Sequence, residues 1–84
     1  MARKPRFTLD ACLTKARMAL QNGRTDEGIE ELRRGIFESA RLDPAKGRRQ
    51  VERILRFAED NEVFAEVEET LHDDGLRRYL FGRE

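Results

Sequence analysis

The segment from Ala16 to Gly35 constrains the fold more than any other, because it contains the end of one amphipathic helix, a turn, and most of a second helix. Asn22-Gly23 follows a periodic apolar stretch with residues that enter the left-handed region at low cost, so the first helix stops there. Thr25 then offers a hydroxyl to free backbone donors, and Asp26 and Glu27 place negative charge at the positive end of the next helix. Two helices joined by so short a turn run antiparallel. Gly28 and Gly35 fall on nearly the same face of the second helix with Leu32 between them. Each interior glycine costs a helix about 1 kcal/mol, so the pair implies that something packs very close to that face.

This hairpin resembles a tetratricopeptide repeat over residues 12–44. Gly28, Leu32 and Gly35 stand where that family places small, large and small residues, and Glu27-Gly28-Ile29-Glu30 is similar to its Glu-Ala-Ile-Glu run. Ala16 fits the small position of the first helix and Gly23 the turn glycine. Cys12 and Ala19 stand where the family has bulky aromatics, and Pro44 comes about one turn late, which implies a longer second helix.

Apolar spacing extends the reading along the chain. Helix one is predicted over Leu9 to Asn22, capped by Thr8, with Leu9, Cys12, Leu13, Ala16, Ala19 and Leu20 on its buried stripe. Helix two is predicted over Asp26 to Leu42, turning Ile29, Leu32, Ile36 and Ala40 inward with Phe37 beside them. Asp43-Pro44 ends it. Asp43 and Pro44 also suit the start of a third helix, and a start near Arg48 beyond Gly47 is the competing choice. Val51, Ile54, Leu55 and Ala58 form that helix's stripe, which loses phase near Asn61 and resumes at Phe64, Val67 and Leu71. Asn61 would cap a separate helix from Glu62 to His72, or one long helix would bend there. After Gly75, the residues Leu76, Tyr79, Leu80 and Phe81 predict a short terminal helix. The expected fold is all-α: a small bundle of about four helices with an antiparallel hairpin in its N-terminal half and a short C-terminal helix. Residues 1–7 form a basic arm and residues 8–84 one helical domain.

An 84-residue chain with 38% hydrophobic and 40% charged residues has a thin core. A lone helical repeat cannot bury its apolar face, so self-association into a homo-oligomer is expected. No apolar run spans a membrane or forms a secretory signal, and the single cysteine suits a reducing compartment, which places the chain in the cytoplasm. Cys12 reads as a small core residue.

Zero net charge conceals segregation. Residues 1–58 carry 14 basic and 8 acidic side chains, residues 59–74 carry 8 acidic and no Lys or Arg, and residues 75–84 carry 3 basic and 1 acidic. Such asymmetry can steer association, or can reflect packing of the acidic run beside basic helix three. No glycine-rich phosphate loop, paired-cysteine pattern or triad is present. Glu69 and His72 make a Glu-x-x-His spacing without the further carboxylates a metal site needs, so no cofactor, no metal and no catalytic residue are assigned.

The sequence therefore predicts a non-enzymatic protein–protein interaction module or small regulator, with Leu13, Leu20, Gly28, Leu32 and Gly35 lining a protein-binding groove and Tyr79 and Phe81 as anchors. Two alternatives remain open. A nucleic-acid-binding regulator would use the arm Arg3, Lys4 and Arg6 with the cluster Lys46, Arg48, Arg49, Arg53 and Arg56. A small phage-type inhibitor would present an acidic helix over 59–74, with Glu59, Glu62, Glu66, Glu69 and Asp73, to a basic partner surface.

Overall fold

A computed structural model describes residues 7–72, which form four α-helices and a 3-10 turn with no strand. The helices are α1 (Leu9–Gln21), α2 (Thr25–Ser39), α3 (Pro44–Asp60) and α4 (Phe64–Glu68), and the 3-10 turn covers Glu69–His72. The expected all-α bundle with an N-terminal hairpin is observed. The terminal helix around Leu76 to Phe81 and the basic arm lie outside the described residues.

Helix α1 starts where Thr8 accepts a hydrogen bond from the Ala11 backbone amide at 3.2 Å, as its position before the apolar stripe predicts. It ends in a two-bond turn. Gly23 N–H donates to the Leu20 carbonyl and Arg24 N–H to the Ala19 carbonyl, with Gly23 at φ +78°. The Asn22 side chain adds a bond to the Met18 carbonyl at 2.8 Å. Because this turn extends through Arg24, Thr25 becomes the first residue of α2 rather than its cap, and no side chain caps that helix.

Helix α2 stops at Ser39, three residues before the predicted Leu42. Ser39 is fully buried and donates its hydroxyl to the Gly35 carbonyl at 2.7 Å, and just beyond it the backbone tightens to bonds three residues back, Arg41 N–H to the Glu38 carbonyl and Leu42 N–H to the Ser39 carbonyl, each at 3.1 Å. Asp43 then caps α3 by accepting from the Lys46 amide at 3.1 Å with Pro44 in the first turn, so the helix begins there and not near Arg48.

The end of α3 repeats the end of α1. Glu62 N–H donates to the Glu59 carbonyl, Val63 N–H to the Ala58 carbonyl, and Asn61 to the Phe57 carbonyl at 2.8 Å. Asn61 thus closes α3 instead of opening α4, and Glu62 occupies the left-handed position at φ +65° that Gly23 fills in the first turn. Over its described residues, 59–72, the acidic run is consequently not one helix, nor one bent helix from α3: it is the last turn of α3, a tight turn, the short α4, and a 3-10 segment.

Helix α2 lies between α1 and α3 and antiparallel to both, with Gly35 facing Cys12 on one side and Ile54 on the other. Leu32, Ile36, Val51, Ile54 and Val67 are fully buried, each stabilising the fold by about 1.5–3 kcal/mol. Leu9, Ala16, Ala58 and Val63 complete the core, and Phe37, expected beside the α2 stripe, is 50% exposed.

Candidate functional site

The residues that sequence spacing assigned to a binding groove are mostly interior. A methyl group at Gly28 would sit 2.7 Å from Leu20 Cγ and Cδ2, and one at Gly35 would sit 2.8 Å from Cys12 Sγ and 3.1 Å from Ile54 Cδ1. The small residues therefore let α2 approach α1 and α3 of the same chain. Leu32 is fully buried, and Leu13 and Leu20 are half-buried against the core. These five positions build the bundle, correcting the open groove expected from sequence. Tyr79 and Phe81 lie outside the described residues.

Cys12 is 4% exposed and its thiol donates to the Glu31 carbonyl at 3.3 Å. Burial, with the nearby Glu31 carboxylate adding to it, pushes its pKa up to about 11, so it stays a neutral thiol at ordinary pH. No group of three or more His, Cys, Asp or Glu side chains able to hold a metal ion occurs among the described residues. Between α1 and α2 near their turn lies a shallow groove of about 520 Å³ over Met18, which is 57% exposed. Several of its rim charges are paired within the chain: Glu27 with Arg24 at 3.4 Å, Glu30 with Arg33 at 3.5 Å and Glu31 with Arg34 at 3.7 Å, while Lys15 and Asp26 also line it.

The outer face of α3 differs. Lys46, Arg48, Arg49, Glu52, Arg53, Arg56, Glu59 and Asp60 are all exposed there, opposite the buried Gly47, Val51, Ile54 and Ala58. Arg53 pairs with Asp10 at 3.7 Å, and the remaining seven form no ion pair with the described residues. Arg49, Glu52, Arg53 and Arg56 line a cleft of about 260 Å³. Arg49, Glu52, Arg56 and Glu59 follow one another at alternating steps of three and four residues, which keeps them on one stripe of a helix. Glu52 stands inside the basic cluster predicted to meet phosphates. Sequence reading by charge clusters passed over it, although its spacing from Arg49 and Arg56 was visible.

The order of charge along α3 also opposes the helix dipole. Lys46 lies in its first turn and Glu59 and Asp60 in its last, where each sign is disfavoured by about 0.3–1 kcal/mol. Asp43 at the cap offsets the basic end only. In α1 and α2 the first turns carry Asp10 and Asp26-Glu27, in the favourable sense, and Glu38 near the end of α2 is answered by Arg41 at 3.4 Å.

The predicted acidic face is divided. Glu59, Glu62, Glu66 and Glu69 are exposed, but Arg33 of α2 donates to the Glu66 carbonyl at 3.1 Å and approaches the Glu69 carboxylate at 3.5 Å. The acidic segment is held by α2 through this arginine as well as resting on α3. Asp73 and the arm residues Arg3, Lys4 and Arg6 lie outside the described residues. Comparison of the chain with protein-family models, with curated proteins and with solved structures gave no match.

Proposed function

We propose that the chain is a non-enzymatic protein–protein interaction module whose contact surface is the outer face of α3. The observation that carries this reading is the set of exposed charges on that helix that pair with none of the described residues and are arranged against its own dipole. Charges selected to stabilise the helix would stand in the reverse order, as they do at the starts of α1 and α2. A local arrangement that costs stability without an internal partner is expected where a surface serves an external one. The reading favours protein over nucleic acid because Glu52 divides the arginines and Glu59 and Asp60 follow directly, so a phosphate backbone would meet carboxylates along the same helix.

Glu59→Gln combined with Asp60→Asn tests it. Removing the opposed charges raises the unfolding free energy by about 0.5–2 kcal/mol, and it weakens capture of the proteins that cross-link to the unaltered chain in host extract. A variant that is no more stable, or that captures the same proteins undiminished, refutes the reading.

A further inference from the structure

Resting on the reading of α3 as a contact surface, we infer that its partner is a second copy of this chain, with the two α3 helices packed antiparallel about a twofold axis. The stripe Arg49, Glu52, Arg56, Glu59 reads basic, acidic, basic, acidic, and it changes sign when read in reverse. In an antiparallel pair, Arg49 faces Glu59 of the second copy and Glu52 faces Arg56, and the twofold axis repeats both contacts. All four positions then meet opposite charge. In a parallel pair every residue would meet its own like. The antiparallel arrangement also brings the basic first half of each α3 against the acidic last turn of the other, which relieves the unfavourable dipole order within each chain.

The surface is prepared for this. All four side chains are exposed and none is paired within the described residues, whereas comparable Arg and Glu side chains three apart on α2 do close into pairs, as Glu30 with Arg33 and Glu31 with Arg34. Arg53, which would stand near the axis, is drawn aside to Asp10 of its own chain at 3.7 Å. Exposed ion pairs are individually weak, so the dimer is weak, concentration-dependent and sensitive to salt. Charge complementarity here selects partner and orientation more than it supplies affinity.

Sedimentation of the full chain tests the inference. The dimer is expected at high protein concentration in about 10 mM salt, where charges act over about 30 Å, and is expected to dissociate at about 1 M, where they act over about 3 Å. Arg49→Glu alone abolishes it. Arg49→Glu with Glu59→Arg restores it, because the antiparallel contact is rebuilt with its signs exchanged. Arg49→Glu with Glu52→Arg has the same net charge yet remains monomeric, since the acid placed at position 49 then faces Glu59 and the base placed at position 52 faces Arg56. Circular dichroism verifies that each variant is folded, and all substituted positions are exposed. A chain that is monomeric in low salt, or two double variants that behave alike, overturns the pairing. If the chain is monomeric while the Glu59→Gln, Asp60→Asn variant still gains stability and loses captured proteins, the interaction module stands with a different partner. If that variant changes neither property, both conclusions fall.

Discussion

Gly35→Ala sets two opposing effects against each other, and the structure decides which wins. Helix propensity alone favours alanine by about 0.8–1 kcal/mol at an interior position. The added methyl, however, would lie 2.8 Å from Cys12 Sγ and 3.1 Å from Ile54 Cδ1, against a comfortable separation of about 3.5–4 Å. Ile54 can yield a few tenths of an ångström at the end of its side chain. Cys12 cannot easily retreat: it is 4% exposed and its thiol is bonded to the Glu31 carbonyl of α2. Relief therefore requires α1 and α2 to part, and overpacking of this kind costs about 1–3 kcal/mol. The net expectation is destabilisation of about 1 kcal/mol, which lowers the melting temperature of a domain this size by about 4–8 °C. Urea unfolding followed by far-ultraviolet circular dichroism measures it. The decisive comparison repeats the substitution in a Cys12→Ala background, where the sulfur is gone and Gly35→Ala becomes neutral or stabilising by up to about 1 kcal/mol. A stabilising effect in the unaltered chain, or equal effects in both backgrounds, would refute the close-packing argument.

Three further outcomes follow from the same geometry. Cys12 has a folded pKa near 11 against an ordinary 9.0, so the folded chain retains a proton that the unfolded chain releases; stability is unaffected below about pH 9 and falls by about 2–3 kcal/mol as pH rises to about 11, a decline that Cys12→Ala should remove from denaturation curves taken across that range. Glu62 holds the left-handed position that ends α3 at φ +65°, so Glu62→Gly should raise the unfolding free energy by about 0.5–1 kcal/mol in thermal melts; a loss of stability would show that the carboxylate makes a contribution the turn geometry does not explain. Arg33→Ala removes the bonds to the Glu66 carbonyl and Glu69, and amide exchange should quicken across residues 64–72 while α1 keeps its protection; uniform change throughout the chain would argue against a local clamp.

The parts of the fold legible in the sequence were those fixed by short-range chemistry acting without competition. Thr8 before Leu9 and Asn22-Gly23 each have one inexpensive conformation, and the ends of α1 fall at them, whereas Asp43-Pro44 suited either the end of one helix or the start of the next, and the structure takes the start. The sequence is ambiguous where two local preferences compete. Asn61 is as suitable for closing a helix as for opening one, and the absence of glycine after it hid its likeness to Asn22; the structure resolves the choice by placing Glu62 in the conformation glycine usually supplies. Ser39 carries no breaker signal, and α2 ends there in a tightened turn whose Ser39 hydroxyl is buried 2.9 Å from the Gln50 side-chain oxygen, a long-range contact that sequence spacing does not show.

The candidate site was harder to read for a different reason. Small residues on a helix announce a close approach but not what approaches, so Gly28, Leu32 and Gly35 had the same pattern whether they met an external partner or α1 and α3. Only the three-dimensional packing distinguishes the two. Charge behaves in the opposite way, because pairing within the chain is what must be excluded before a charged face gains meaning. Once Arg33 is seen to serve the acidic segment and Arg53 to serve Asp10, the charges left on α3 are those with no partner among the described residues. Their order against the helix dipole then becomes a physical argument for a surface completed by another molecule.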